Sequence, residues 1–207
     1  MKPVTAGEIA SWTASAVAEV DADDLAYLAL TGKAELQIRD YLAMWCRRSL
    51  DDLVAAREWK RHDFALLRGR TPVAIIEGKL WASFNVLNHK KLNSGHPSHG
   101  ILGAMQKDMT KLVERSKTES MVGFVSTLLM GINVSDVHPD DQEIVKYLSD
   151  WKKSLKSGHN WLDQHSKAHQ ALMEFSSRFG ETESAQLFRG TAYGAEVVMS
   201  VVVTRTV

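Results

Sequence analysis

Hydrophobic side chains recur at intervals of three and four over the first fifty positions, so the chain opens with helices. Thr5 and Glu8 have capping-box spacing, and Ile9, Trp12, Ala16 and Val20 follow on one face, predicting a helix to about Val20. Asp23 is placed to cap a short helix that Gly32 ends. Lys33 to Arg48 reads as a longer one with Leu36, Tyr41, Leu42 and Trp45 inward. Ser49 with Asp52 suggests a further helical start. At Arg61 the pattern changes. The runs 62–67 and 73–79, split by Arg68-Gly69-Arg70-Thr71-Pro72, read as strand, turn, strand, both covered on two faces. Helical spacing returns from Gly100 to Lys117, and the apolar run Met121 to Val134 reads as an interior strand. A helix capped by Asp136, with Pro139 in its first turn, is expected to reach about Lys156; after a break at Gly158, another runs from Asn160 to about Arg178. Two strands, Ala185 to Arg189 and Ala195 to Thr204, close the chain around a turn at Gly190 to Gly194.

This order predicts an α/β (α+β) fold, a mixed central sheet flanked by helices. With no repeat, low-complexity segment or Pro/Ser-rich linker, 1–207 reads as one domain: a helical extension (1–32), a core (33–135), then a helical pair and terminal strands packed on it (136–207).

Composition narrows the function. At 207 residues and 44% hydrophobic, the chain can close a core without disulfides or metal, and the single Cys46 excludes a disulfide framework or cysteine zinc site. Cys46 also sits in an apolar helical pattern with no histidine partner, which argues against a catalytic thiol. Balanced charge, 25 basic against 25 acidic groups, excludes a polybasic binder. The segment 61–120 nevertheless holds ten basic and five acidic residues, so positive charge concentrates around the hairpin, as a surface for a polyanion or as a solvated helix face. The opening MKPVTAGEIASW lacks the regions of a signal peptide and no apolar stretch is long enough for a membrane helix, so a cytoplasmic protein with no membrane partner is expected.

The chemistry lies in the hairpin. A turn centred on Arg70 sets Asp63 opposite Glu77, with Cβ atoms about 5 Å apart. That lets two carboxylates share a cation at about 2.1 Å from each oxygen. Alternation places Glu77 and Lys79 on one face, with the Gly78 carbonyl accessible between them. The carboxylates could instead stand solvated at strand ends, or pair with Lys79. Read as a site, the oxygens suit Mg²⁺, with Mn²⁺ able to substitute, and water and phosphate completing the shell.

Asp63, thirteen intervening residues, then Glu77-Gly78-Lys79 on an apolar strand resembles the PD-(D/E)xK nuclease superfamily, the restriction endonuclease-like fold. The helix, strand, strand, helix, strand order from Lys33 to Val134 is similar to that core, over about the middle half of the chain. The resemblance implies a Mg²⁺-dependent nuclease acting on nucleic acid, DNA foremost, with a homodimer as the expected form for cutting two strands. Asp63 and Glu77 would ligate the metal with the Gly78 carbonyl, and Lys79 would orient water and stabilise developing charge. Glu35 would match the acid of the first core helix, or else simply pair with Arg39 four residues on. His62 departs from the eponymous proline. Arg68, Arg70, Lys90, Lys91, Lys107, Lys111 and Arg115 would contact phosphates, and Gln106 or Lys107 could reach the scissile one.

Two other readings stay open. One is a catalytically silent subunit of the same fold that docks through the helices from Pro139 to Arg178 and the apolar strand Val197 to Val203. The other is an unrelated α/β binding domain. His89, His96 and His99 lack the helical spacing of a zinc pair and read as a loop. The tryptophans read as packing, with Trp81 nearest the candidate site.

Overall fold

The structure is a computed structural model that describes residues 3–88, 101–117, 121–155 and 160–206. Six strands form one mixed sheet in the order β1-β2-β3-β4-β6-β5. They are β1 (Val54–Arg57), β2 (Phe64–Arg68), β3 (Thr71–Ala82), β4 (Val122–Asn133), β5 (Thr182–Ala192) and β6 (Ala195–Arg205). Strands β3 and β4 pair in parallel and every other neighbouring pair is antiparallel.

Side-chain alternation divides the sheet into two apolar layers. On one face Phe64, Ile76, Phe124, Leu128, Met199 and Val201 pack under α1 (Ala6–Val17), α2 (Ala22–Thr31) and α3 (Ala34–Ser49). Trp151 of α6 (Leu148–Leu155) closes this layer and meets Phe84 edge-on at 4.7 Å. On the other face Ala65, Ile75, Val125, Leu129 and Val202 pack under α5 (Ile101–Ser116) and α7 (Trp161–Ser176), with Val86 of α4 (Ser83–Asn88). The parallel β3–β4 pair needs a crossover, which α4 and α5 supply. Close approach marks the other edge: a Cβ on Gly190 would lie 2.1 Å from the Ala22 carbonyl oxygen, so β5 meets the start of α2 backbone to backbone.

Several elements match the pattern. Thr5 and Glu8 form the full capping box, and Asn160 caps α7. Others differ for identifiable reasons. Asp21, not Asp23, caps α2, accepting from the amides of Asp23 and Asp24; the Asp23 carboxylate instead accepts from Thr191 on β5. In α3 the buried positions are Ala34, Ile38, Leu42 and Cys46, and Leu36 is exposed, because small residues let α3 settle close to α1. No helix follows Ser49; Val54–Arg57 pairs with Phe64–Leu67 as an edge strand, adding a third strand to the predicted hairpin. The helix expected from Pro139 to Lys156 is a single 3-10 turn capped by His138, then a turn with Tyr147 left-handed (φ 58°), then α6. Its Lys146 amide is spent on the Leu30 carbonyl of α2 instead of a helical bond. The strand Val197 to Val203 is interior, between β4 and β5 and buried throughout, so it cannot serve as an oligomer interface. No helix among the described residues is long and apolar enough to cross a membrane.

Candidate active site

β2 has five residues and β3 twelve, so their ladder stops at Phe64 opposite Ile76 and β3 runs on with β4 alone. At this end the register is the one predicted for a turn at Arg70; a bulge between Leu66 and Leu67 shifts it by one nearer the turn. Asp63 comes next in line, level with Glu77. Its carbonyl accepts from the Glu58 amide at 3.1 Å, and Oδ2 accepts from the Gly78 amide at 2.8 Å. The carboxylate thus satisfies a β3 donor that the end of β2 leaves unpaired.

The loop that delivers Asp63 is strained. Glu58, Lys60 and Arg61 have φ of 52°, 48° and 71°, each costing on the order of 1 kcal/mol for a non-glycine residue. The conformation turns His62 inward, where it is 1% exposed, and leaves Asp63 at the rim.

Alternation puts Glu77 and Lys79 on one face, as predicted, and in the structure that face meets α5. Glu77 is 5% exposed, and a carboxylate so placed is costly without compensation. Its Oε1 accepts from Lys111 Nζ at 2.9 Å and lies 2.5 Å from His62 Nδ1. Arg115 Nη1 stands 2.6 Å from His62 Nε2. Arginine only donates, so Nε2 is the acceptor and His62 is the neutral tautomer that donates from Nδ1 to Glu77. Lys79 Nζ pairs with Asp108 Oδ2 at 2.8 Å. Burial alone would lower the lysine pKa; the bond to Asp108 and the fields of Asp108, Asp63 and Glu77 outweigh it and raise the pKa above its ordinary value. Lys79 is therefore a cation at neutral pH and serves as a donor, not a base.

Asp63, Gly78 and Lys79 line one wall of a cavity of about 210 Å³ beneath α3. Glu35 and Arg39 line it from the helix, over a floor that includes Ile38, Leu42, Phe64 and Leu128. Arg39 does not pair with Glu35. It reaches Asp40 at 3.2 Å and Glu58 at 3.5 Å.

The structure brings Asp63, Gly78, Lys79 and Glu35 to one cavity; the neighbouring Glu77 is buried against His62 and Lys111, outside its lining. It separates Arg68 and Arg70, which lie at the far end of the hairpin, roughly 15 Å along the strands. Arg68 is held there by Asp52 at 2.7 Å. Gln106 and Lys107 are exposed on α5, and Lys90, Lys91, His89, His96 and His99 lie outside the described residues. Trp81 is partly buried and packs against the α5 and α7 layer, with its Nε1 buried and unpartnered among the described residues. Cys46 is fully buried, and desolvation pushes its thiol up to about 12 against a smaller opposing backbone bond.

Sequence reasoning missed the supporting roles of His62, Asp108 and Lys111. A signal was present: Asp108, Lys111 and Arg115 sit three and four residues apart, flanking the buried stripe Met105, Met109 and Leu112.

Among the described residues no three His, Cys, Asp or Glu side chains form a ready metal cage. The groups that could hold a hard cation are Asp63 and Glu77, since Oδ1 of one and Oε2 of the other take no hydrogen bond among those residues. An all-oxygen pair suits Mg²⁺, which takes one or two carboxylates and fills the rest of its shell with water and phosphate. Comparison with known proteins found no matching family model, curated protein or solved structure.

Proposed function

We propose that this chain is a Mg²⁺-dependent nuclease that hydrolyses phosphodiester bonds, with DNA as its substrate. One observation carries the reading: at the notch where β2 ends, Asp63, Gly78 and Lys79 line one wall of a cavity that Glu35 lines from α3, and the buried Glu77 precedes Gly78 on the same strand. The connectivity supports it. The run α3-β1-β2-β3-α4-α5-β4, antiparallel through β3 and then parallel, is similar to the restriction endonuclease-like core.

In this mechanism Asp63 and Glu77 would hold the cation through their free oxygens, and Glu35, which lines the cavity from α3, would reach it through water. When bound, Mg²⁺ would supply a more acidic water and charge for the nonbridging phosphate oxygens. Lys79, kept cationic and aimed by Asp108, holds the attacking water or a phosphate oxygen beside them and stabilises negative charge that grows during attack. Asp63 is in turn held by the amide of Gly78, the residue next to Lys79 on β3. The strained loop before Asp63 fits a functional role, because such strain persists where placement matters more than stability.

The test is a cleavage assay on duplex DNA, single-stranded DNA and RNA with Mg²⁺, Mn²⁺ or EDTA, with Lys79→Ala run beside the wild type. Cation-dependent cutting by the wild type alone is expected. Equal cutting by the variant would refute the site. A second reading, a catalytically silent subunit of the same fold, is favoured by the engagement of Lys79 with Asp108 and of Glu77 with Lys111. Cleavage of none of the substrates, in a protein that still binds them, would move the assignment there.

A further inference from the structure

Glu77 is the only buried carboxylate among the described residues, and its two donors differ in kind. The His62 side chain is fully buried and fixed from behind by Arg115. Being neutral, it contributes a hydrogen bond but no charge. Lys111 contributes the charge, and its side chain is 42% exposed on a flexible stem that borders an open recess along α5 with Gln106, Lys107, Thr110 and Glu114. Lys79 is committed to Asp108.

We propose that Lys111 is the exchangeable counter-ion of Glu77, neutralising the carboxylate in the cation-free protein and leaving Oε1 when Mg²⁺ binds. The inference rests on the cation-site reading above. Its physical basis is that a buried carboxylate cannot stand uncompensated, whereas a dication and an ammonium on the same oxygens repel one another. Lys111 is the member of the pair that can leave at low cost, because its ammonium regains water as soon as it swings into the recess. His62 remains in both states and keeps the carboxylate aimed.

The experiment is calorimetric titration of Mg²⁺ into the wild type, Lys111→Met, Lys111→Arg and Lys117→Met, with thermal melts of each in EDTA and in Mg²⁺. Lys111→Met keeps the apolar stem and removes the competing charge. It is expected to bind Mg²⁺ roughly two- to fivefold tighter, the size of a half-exposed ion pair. Its melting point should fall in EDTA and recover with Mg²⁺ by more than the wild type gains. Lys111→Arg should restore wild-type affinity. Lys117→Met, an exposed charge just beyond α5, should change nothing, which separates exchange at Glu77 from a general gain in negative potential. A purely structural lysine would lower the melting point equally in both buffers. Wild-type affinity in Lys111→Met, or an equal gain in Lys117→Met, overturns the exchange while leaving the cation site standing. No binding to any of the four proteins overturns the cation site itself, and the exchange with it.

Discussion

Acid should destabilise this protein through one histidine. His165 on α7 is 8% exposed and lies against the sheet, with Nδ1 3.0 Å from Ser83 Oγ and Nε2 3.3 Å from Ser200 Oγ. The Ser83 hydroxyl donates to the Met130 carbonyl at 2.9 Å, so its oxygen accepts from Nδ1–H, and Nε2 is left to accept from Ser200. Both nitrogens of the neutral ring are satisfied, and a second proton would confront the Ser200 hydroxyl. Burial, with a smaller contribution from His169, lowers the His165 pKa from 6.5 to about 4. Above pH 6.5 the ring is neutral in both folded and unfolded chains and costs nothing. As the pH falls toward 4, the unfolded chain takes up a proton that the folded one refuses, so stability drops by about 1.4 kcal/mol per pH unit and by about 3 kcal/mol in all. Below 4 this contribution is spent. The carboxylates also titrate in this range, so the measurement is a difference: urea unfolding at pH 7.5 and pH 4.5 for the wild type and His165→Gln, whose amide keeps a donor and an acceptor. Between those pH values the wild type should lose about 2.5 kcal/mol more than the variant. Equal losses would refute the buried neutral ring.

Three further outcomes follow from the geometry. Gly190→Ala places a methyl 2.1 Å from the Ala22 carbonyl oxygen, so α2 must lift from β5; a loss of about 1–3 kcal/mol in chemical denaturation is expected, and a neutral effect would contradict the backbone contact. Arg61→Gly removes the side-chain penalty of a left-handed residue and should raise stability by about 0.5–1 kcal/mol in the same assay, with Asp63 left in place. Cys46, buried and with its thiol pushed up to about 12, should resist a thiol reagent at pH 8 in the native protein and react fully in denaturant, so rapid native labelling would mean that α3 opens.

How much of this was legible beforehand depends on the range of the interaction. The capping box at Thr5 and Glu8, the α7 start at Asn160, and the register that sets Asp63 level with Glu77 follow from neighbours a few residues apart or from one turn. Strand alternation likewise determined that Glu77 and Lys79 share a face, and the acid and E-x-K pattern marked the candidate site. Sequence could not decide what meets that face, because Lys111, Asp108 and Arg115 reach it only once the crossover lays α5 along β3. The same limit hid β1, an edge strand whose weak alternation becomes a strand by pairing with β2, and it left Val197 to Val203 open as an oligomer interface although α1, α7 and its two neighbouring strands bury it. It also left His62 as a mere departure from a motif. Tertiary structure turns that histidine into the buried link between Arg115 and Glu77, because a carboxylate taken out of water must find its donors wherever the fold places them.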